Sequence, residues 1–321
     1  ALPISCNTAH DNHSYDWLSV GFQHFKTHRS HPVMKIAVVI PCYKEKCHVA
    51  AVIAGIGPEV SEIIVVDDAC PDGSGKFVES EISDPRITVL FRESNGGVGA
   101  AVCTGYEYGL SQGADILVKV DGDGQMDPAD ISRMVRPIIE GNADYVKGNR
   151  FHSFTSLSQM PKHRIIGNFA LTLMTKLSSG YWNIADPTNG FTAIHKRALS
   201  RCDLSAVSKD YFFESDMLFH LYLARGKVLD VPMDAAYGDE TSGLVARRWV
   251  FPFLFRNVRN LVHRLVFTYL YRDITVHAVY LLISIMLLAF GFAFGISRWL
   301  VSSVEQSAAT PGTVMLAALP L

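Results

Sequence analysis

Short apolar runs, each closed by a polar or glycine-containing turn, recur along the first two thirds of the chain. Residues 35–40, 62–66, 87–91 and 116–120 are rich in β-branched side chains and read as buried strands. Helical stretches separate them. One follows Pro41-Cys42-Tyr43-Lys44-Glu45 and runs toward Ile56. A second starts in Pro71-Asp72-Gly73-Ser74-Gly75. A third opens at Asn95-Gly96-Gly97-Val98-Gly99 and runs toward Gln112. Pro128 stands where a helix can begin. Residues 145–148 read as a further strand, and Lys162 begins another helix. This alternation predicts an α/β fold with a mainly parallel sheet covered on both faces.

The pattern changes near residue 246. Residues 249–271 mix aromatics with Arg256, Arg259, His263 and Arg264, basic groups at helical spacing. That spacing predicts an amphipathic helix in a lipid headgroup region. A soluble helix packed on the α/β domain is the alternative. Residues 277–300 form an apolar run broken only by Arg298, enough to cross a bilayer of roughly 30 Å at about 1.5 Å per residue. Trp299 would sit at an interface. Residues 302–306 read as a loop. Residues 311–321 begin another apolar stretch, too short to span, expected to be the start of a second transmembrane helix. The predicted organisation is a polar arm (1–33), an α/β domain (34–245), juxtamembrane helices (246–275), a transmembrane helix (276–300) and a terminal segment (301–321).

In such sheets ligands bind at the carboxyl ends of the strands, and the polar motifs fall there. The most informative is Val118-Lys119-Val120-Asp121-Gly122-Asp123-Gly124-Gln125-Met126-Asp127-Pro128. Asp121 and Asp123 lie two apart past a strand end, so in an extended segment both carboxylates point to one side. Paired carboxylates repel unless a cation lies between them. Hard divalent cations take oxygen ligands and bridge carboxylates to phosphates. The motif therefore predicts a metal site for a phosphate-bearing donor, against a polar loop that merely closes a strand. Asp67-Asp68 is either a second site element or a turn-forming pair.

Composition narrows the classes. The 321 residues allow one large domain with additions, or two domains. A net charge of −2 lacks the basic footprint of a nucleic-acid-binding protein. The 49% of apolar residues are concentrated toward the C-terminus. The six cysteines are scattered without zinc or redox spacing and read as reduced thiols, with Cys42 and Cys47 as metal ligands the alternative. Residues 1–33 carry His10, His13, His24, His28 and His31 but no seven-residue apolar core, so they do not form a secretory signal. A loosely attached arm is expected, and Met34 is a candidate biological start. The turn after the first strand holds no glycine, which excludes the dinucleotide fingerprint of nicotinamide dehydrogenases.

Taken in order, Ile-Pro-Cys-Tyr-Lys-Glu, Val-Val-Asp-Asp-Ala-Cys-Pro-Asp-Gly, Asn-Gly-Gly-Val-Gly-Ala-Ala and Asp-Gly-Asp-Gly-Gln-Met-Asp-Pro resemble the family 2 glycosyltransferases. Within that family they most resemble the polyprenyl-phosphate glycosyltransferases, over roughly residues 35–244. The resemblance implies a GT-A fold. It implies inverting transfer of a sugar from a nucleotide sugar to a polyprenyl phosphate, with Mg2+ or Mn2+. Pro41, Tyr43 and Glu45 would line the nucleotide pocket, with Asp68 on the base or ribose side. Asp121, Asp123 and Gln125 would hold the metal and diphosphate. Arg150 and Arg164 match the family's arginines for the acceptor phosphate, and guanidinium forks suit phosphate.

Asp186-Pro187-Thr188-Asn189-Gly190-Phe191-Thr192 follows the family's Asp-x-Thr-Ser-Gly-Phe-Arg, with Asn189 for serine and Thr192 for arginine. Asp186 is expected near the reacting sugar. Glu214 and Asp216 occupy a stretch where relatives carry an acid facing the site. Residues 232–244 resemble a loop that closes over the donor. Arg248-Trp249 matches the end of the processive Gln-x-x-Arg-Trp motif, but Val245 replaces its glutamine. The processive reading is therefore rejected, and Arg247 and Arg248 remain candidate diphosphate contacts or simply basic residues flanking a membrane. Basic residues before His277 place the α/β domain on the cytoplasmic side, and a homo-oligomer is compatible with paired helices. Two rivals stay open: a family 2 enzyme acting on a hydroxyl, with Asp216 or Glu214 as base, and a catalytically inactive membrane scaffold.

Overall fold

The computed structural model describes residues 34–151, 162–233, 246–272, 276–306 and 308–318. The expected arm (1–33) and most of the donor-closing loop (234–245) lie outside the described residues. Seven strands form one sheet: β1 (Ile36–Cys42), β2 (Glu62–Asp67), β3 (Ile87–Phe91), β4 (Ile116–Lys119), β5 (Tyr145–Asn149), β6 (Thr192–His195) and β7 (Val228–Pro232). Their order is β3-β2-β1-β4-β6-β5-β7. β6 runs antiparallel to both β4 and β5, while the other pairings are parallel. β6 leaves a turn at the carboxyl edge and so must run back across the sheet.

Helices cover both faces. They are α1 (Val49–Ala54), α2 (Ser74–Glu81), α3 (Val98–Ser111), α4 (Ile131–Ile139), α5 (Lys162–Ser179), the one-turn α6 (Lys196–Leu199) and α7 (Phe213–Leu223). Strand alternation sorts the core into two layers. Val38 and Ile40 of β1 pack with Val52, Ile131, Met134 and Ile138 of α1 and α4. Ala37 and Val39 face Val102, Tyr106, Met217 and Leu218 of α3 and α7. Close approach on this second face needs Gly105, where a Cβ would stand 2.3 Å from a Val39 methyl.

The registers bring the polar motifs to one edge. Cys42 pairs with Asp67 and Val39 with Lys119. Lys119 pairs with Thr192, so Asp121, two residues on, faces Gly190. Lys147 also pairs with Thr192, which sets Asn149 and Arg150 beside the same turn. Segments distant in sequence thus meet because parallel strands end together.

α8 (Ala246–Val266) lies on α5 and α7 with its polar face inward. Arg256 donates to both oxygens of Asp210 at 2.7 Å, Asn260 to Asp216 at 2.7 Å, and Ser178 to Asn257 at 2.6 Å. Its outward face shows Phe251, Phe255, Val258 and Val262, with Phe251 77% exposed. Arg256 was expected among headgroup-facing bases; it points instead to the α/β domain, because Asp210 supplies its counter-charge. This is the reverse of a soluble surface helix, which buries its apolar stripe.

After a π-helical turn (Phe267–Arg272), α9 runs from Val276 to Glu305. It is long and apolar enough to cross a membrane, and 6% of its most apolar window is buried. The expected loop at 302–306 is not formed, since α9 continues through Glu305; no proline or glycine interrupts it there. α10 (Pro311–Ala318) packs back on α9.

Asp230 of β7 supplies a test of the packing beneath the sheet edge. Burial pushes its carboxyl from 3.8 up to about 6, against the Ala185 amide, which donates to Oδ2 at 2.6 Å. Its other oxygen is buried without a hydrogen bond. The folded chain therefore holds a proton that the unfolded chain releases. That contribution to stability is full below about pH 4 and lost as pH rises through 6. Asp230→Asn is expected to stabilise the protein by about 1 kcal/mol above pH 7, the figure allowing for partial exposure. The gain should vanish toward pH 4 in thermal unfolding followed across pH. A gain independent of pH would contradict this account.

Candidate active site

At the end of β2 two aspartates organise turns. Asp67 accepts from the Cys70 amide at 2.7 Å and the Gly75 amide at 2.8 Å, which fixes the start of α2. Asp68 is ion-paired with Arg92 and accepts from Gly96 at 3.0 Å and Gly97 at 2.8 Å. Both Asp68 oxygens are thus engaged in holding the glycine turn that opens α3. Beside it, Pro41 is buried, Tyr43 is 43% exposed and Glu45 is half-buried. The Glu45 side chain lies against Gly122 of the acidic turn, 3.3 Å from where a Cβ would stand. The first and fourth strand ends therefore share one surface.

The acidic turn follows directly. Asp123 accepts from the Gln125 amide at 3.0 Å, and Asp127 caps the turn that leads into α4 by accepting from Ala129 at 2.9 Å. Asp121 stands 2.7 Å from the ammonium of Lys119, which also donates to Glu214 at 2.9 Å. Lys119 is 1% exposed. Burial opposes its charge, and Asp121 and Glu214 outweigh that, so its pKa is raised. The residues fit a hard divalent cation. Asp121 and Asp123 supply carboxylate oxygens and Gln125 an amide oxygen, the hard donors such an ion takes, while the Asp121 Oδ1 itself faces the Lys119 ammonium. Among the described residues no three His, Cys, Asp or Glu side chains converge on one point. A cation here would draw on at most two carboxylates and complete its shell from substrate phosphate or water, as magnesium commonly does. Cys42 is buried and Cys47 exposed, and burial pushes the Cys42 thiol up. A thiolate pair at these positions is disfavoured, because metal binding needs the deprotonated sulfur.

At the end of β5, Arg150 grips Asp186 through Nε at 2.7 Å and Nη2 at 3.0 Å, a bidentate pair. Asp186 is fully buried and also accepts from Thr188 at 3.3 Å. Asp216 is fully buried too. One of its oxygens accepts from the Ser208 amide and hydroxyl, the other from Asn260. It braces α7 to α8. Arg164 lies in the first turn of α5, and Arg247 and Arg248 in the first turn of α8. The positions of these three side chains lie outside what the structure describes.

Known proteins place this arrangement. The glycosyl transferase family 2 model matches residues 37–202, just over half of the chain. The chain belongs to glycosyl transferase family 2. This transferase is 32% identical to a polyprenol monophosphomannose synthase of Mycolicibacterium smegmatis, over 63% of this chain and 77% of that protein. It is 31% identical to an undecaprenyl-phosphate mannosyltransferase of Micrococcus luteus, over 62% and 83%. Its fold is similar to that of glucosyl-3-phosphoglycerate synthase from Mycobacterium tuberculosis, solved with Mn2+, UDP and glucosyl-3-phosphoglycerate. There the TM-score is 0.54 at 19% identity, over 72% of this chain and 80% of that one.

Two site-lining lysines of the transferase escape the motif reading. Lys119 and Lys147 sit inside strands β4 and β5, and both are buried. Lys147 donates to the Asn189 carbonyl at 2.6 Å, and burial pulls its pKa down to about 8. The available signal was a charged residue within an otherwise apolar run, which must find counter-charge when buried.

Gly190 makes the approach possible. A Cβ there would stand 2.0 Å from an Asp121 oxygen and 2.7 Å from the Lys119 nitrogen. Gly190→Ala is expected to displace Asp121 and lower turnover by roughly 100-fold, about 2.7 kcal/mol of transition-state stabilisation. Steady-state kinetics of the folded variant measures this, and near-normal turnover would show that Asp121 need not stand where it does.

Proposed function

We propose that this transferase moves a sugar from a nucleotide sugar to a polyprenyl phosphate at the cytoplasmic face of a membrane, with inversion at the anomeric carbon. One observation carries the reading: the acids of the β4 turn and the Arg150–Asp186 pair meet at one sheet edge, in a chain that also carries a helix long and apolar enough to span. The relatives named for polyprenyl and undecaprenyl phosphate support the acceptor class. The Mn2+ and UDP bound to the structural neighbour support the donor class.

In this reading Pro41, Tyr43 and Glu45 line the nucleotide pocket, and Asp68 shapes its glycine turn. Asp121, Asp123 and Gln125 would hold Mg2+ or Mn2+ against the donor diphosphate. Such an ion supplies charge neutralisation for the leaving group. Asp186 fixes the guanidinium of Arg150, which with Arg164 would hold the attacking phosphate, and Arg247 and Arg248 are candidate contacts to the diphosphate. A phosphate monoester with a second pKa near 6 is largely ionised at neutral pH, so its oxygen attacks without a strong general base. That suits a site where Asp216 has both oxygens engaged and Glu214 is paired with Lys119. The membrane helix keeps the enzyme with an acceptor whose chain is retained by roughly 0.8 kcal/mol per buried methylene. Arg256, Arg259, Arg264 and Arg272, on the N-terminal side of α9, support a cytoplasmic catalytic domain by the positive-inside rule.

The test is a screen of radiolabelled nucleotide sugars with undecaprenyl or dolichyl phosphate and Mn2+ or Mg2+. Label is expected in the lipid phase, lost on chelation and reduced at least about 100-fold in Asp123→Ala. Glycosylation of a free hydroxyl with no lipid product would overturn the acceptor. Absence of any metal-dependent transfer would return the chain to a binding role.

A further inference from the structure

Among the described residues, Lys119 is the one buried cation at this edge that touches the acidic turn. A lone ammonium is costly to bury, so its position is set by the carboxylates around it. Those two are unlike each other. Glu214 is buried in the first turn of α7, where the helix end favours a negative charge. Asp121 belongs to the turn just beyond β4 and is 27% exposed. Lys119 and Glu214 are thus anchored on a strand and a helix, while Asp121 is the member on irregular backbone. Gly190 keeps the space between them clear.

We infer that Lys119 is a positioning residue for Asp121, backed by Glu214, and that its charge makes the site take a divalent cation together with the donor diphosphate rather than before it. This rests on the metal reading of Asp121 and Asp123. Two adjacent carboxylates would ordinarily hold a cation tightly. Here one oxygen of Asp121 already faces an ammonium at 2.7 Å, shared with Glu214, which offsets part of the pair's charge. With no third acidic or imidazole ligand among the described residues, a free cation meets too few donors. The diphosphate brings both the missing oxygens and the missing negative charge.

The experiment is Mn2+ binding to the purified full chain, followed by the electron paramagnetic resonance of free Mn2+. It is run alone and with UDP or GDP, with correction for chelation by the nucleotide. Wild type is expected to bind Mn2+ at least about tenfold more tightly with the matching diphosphate. Glu214→Gln keeps a hydrogen bond to Lys119 but turns its charge wholly onto Asp121. Affinity for Mn2+ alone should fall, and the Mn2+ needed for half-maximal activity should rise about tenfold. Lys119→Met should do the opposite to binding, tightening Mn2+ alone about tenfold while turnover falls. If that variant does not fold, Lys119→Met/Glu214→Met removes the buried pair together and carries the same expectation. A general loosening of the site could not move the two variants in opposite directions.

The inference is overturned if both variants stay within about twofold of wild type. It is also overturned if both shift the same way, or if wild type binds Mn2+ equally well with and without diphosphate. Mn2+ bound by wild type but unaltered in the variants sinks this inference alone. No Mn2+ binding with either diphosphate sinks the metal reading and this inference with it.

Discussion

A lysine ammonium buried between two carboxylates joins the sheet, the acidic turn after β4 and helix α7 at one point. Lys119 reaches Asp121 at 2.7 Å and Glu214 at 2.9 Å from inside β4. Charge in a low-dielectric interior is tolerated only with partners in good geometry. The three groups therefore constrain one another, and through them the strand end, the α7 N-terminus and the Gly190 turn. Arg150, just past β5 and two strands over, repeats the device with Asp186. The sheet edge is thus a row of paired charges, and the pairing orients acids that would otherwise repel.

The same economy links this edge to the apolar end of the chain. α8 gives Arg256 and Asn260 to the catalytic domain, through Asp210 and Asp216, and turns Phe251 and Phe255 outward. The segment that receives Arg256 also meets the start of α3: the Lys209 carbonyl accepts from Ala100 at 3.0 Å. One stretch, 208–213, therefore touches both the helix that precedes apolar α9 and the glycine turn held by Asp68. The outward apolar surface of α8 and the catalytic domain are packed together through these contacts.

Much of this was legible in the residues. β-branched runs mark β1 to β4 because strands buried on both faces must be apolar throughout. The polar motifs mark the carboxyl edge because parallel strands end together. What escaped reading depends on partners far away in sequence. Lys119 and Lys147 stand within apolar runs, and nothing local reveals that Glu214 and the Asn189 carbonyl wait for them. Arg256 looked like a headgroup contact until Asp210 was placed 46 positions away beside it. β6 is only four residues long, and its reversed direction follows from where the chain enters the sheet.

The most direct test of the central claim is an anomalous-difference map, at the manganese edge, of the transferase crystallised with Mn2+ and its nucleoside diphosphate. The account predicts one strong peak at about 2.0–2.3 Å from a carboxylate oxygen of Asp121 or Asp123 and from diphosphate oxygens, with Lys119 still against Asp121. A peak held by other residues, or a diphosphate bound away from the β4 turn, would contradict it.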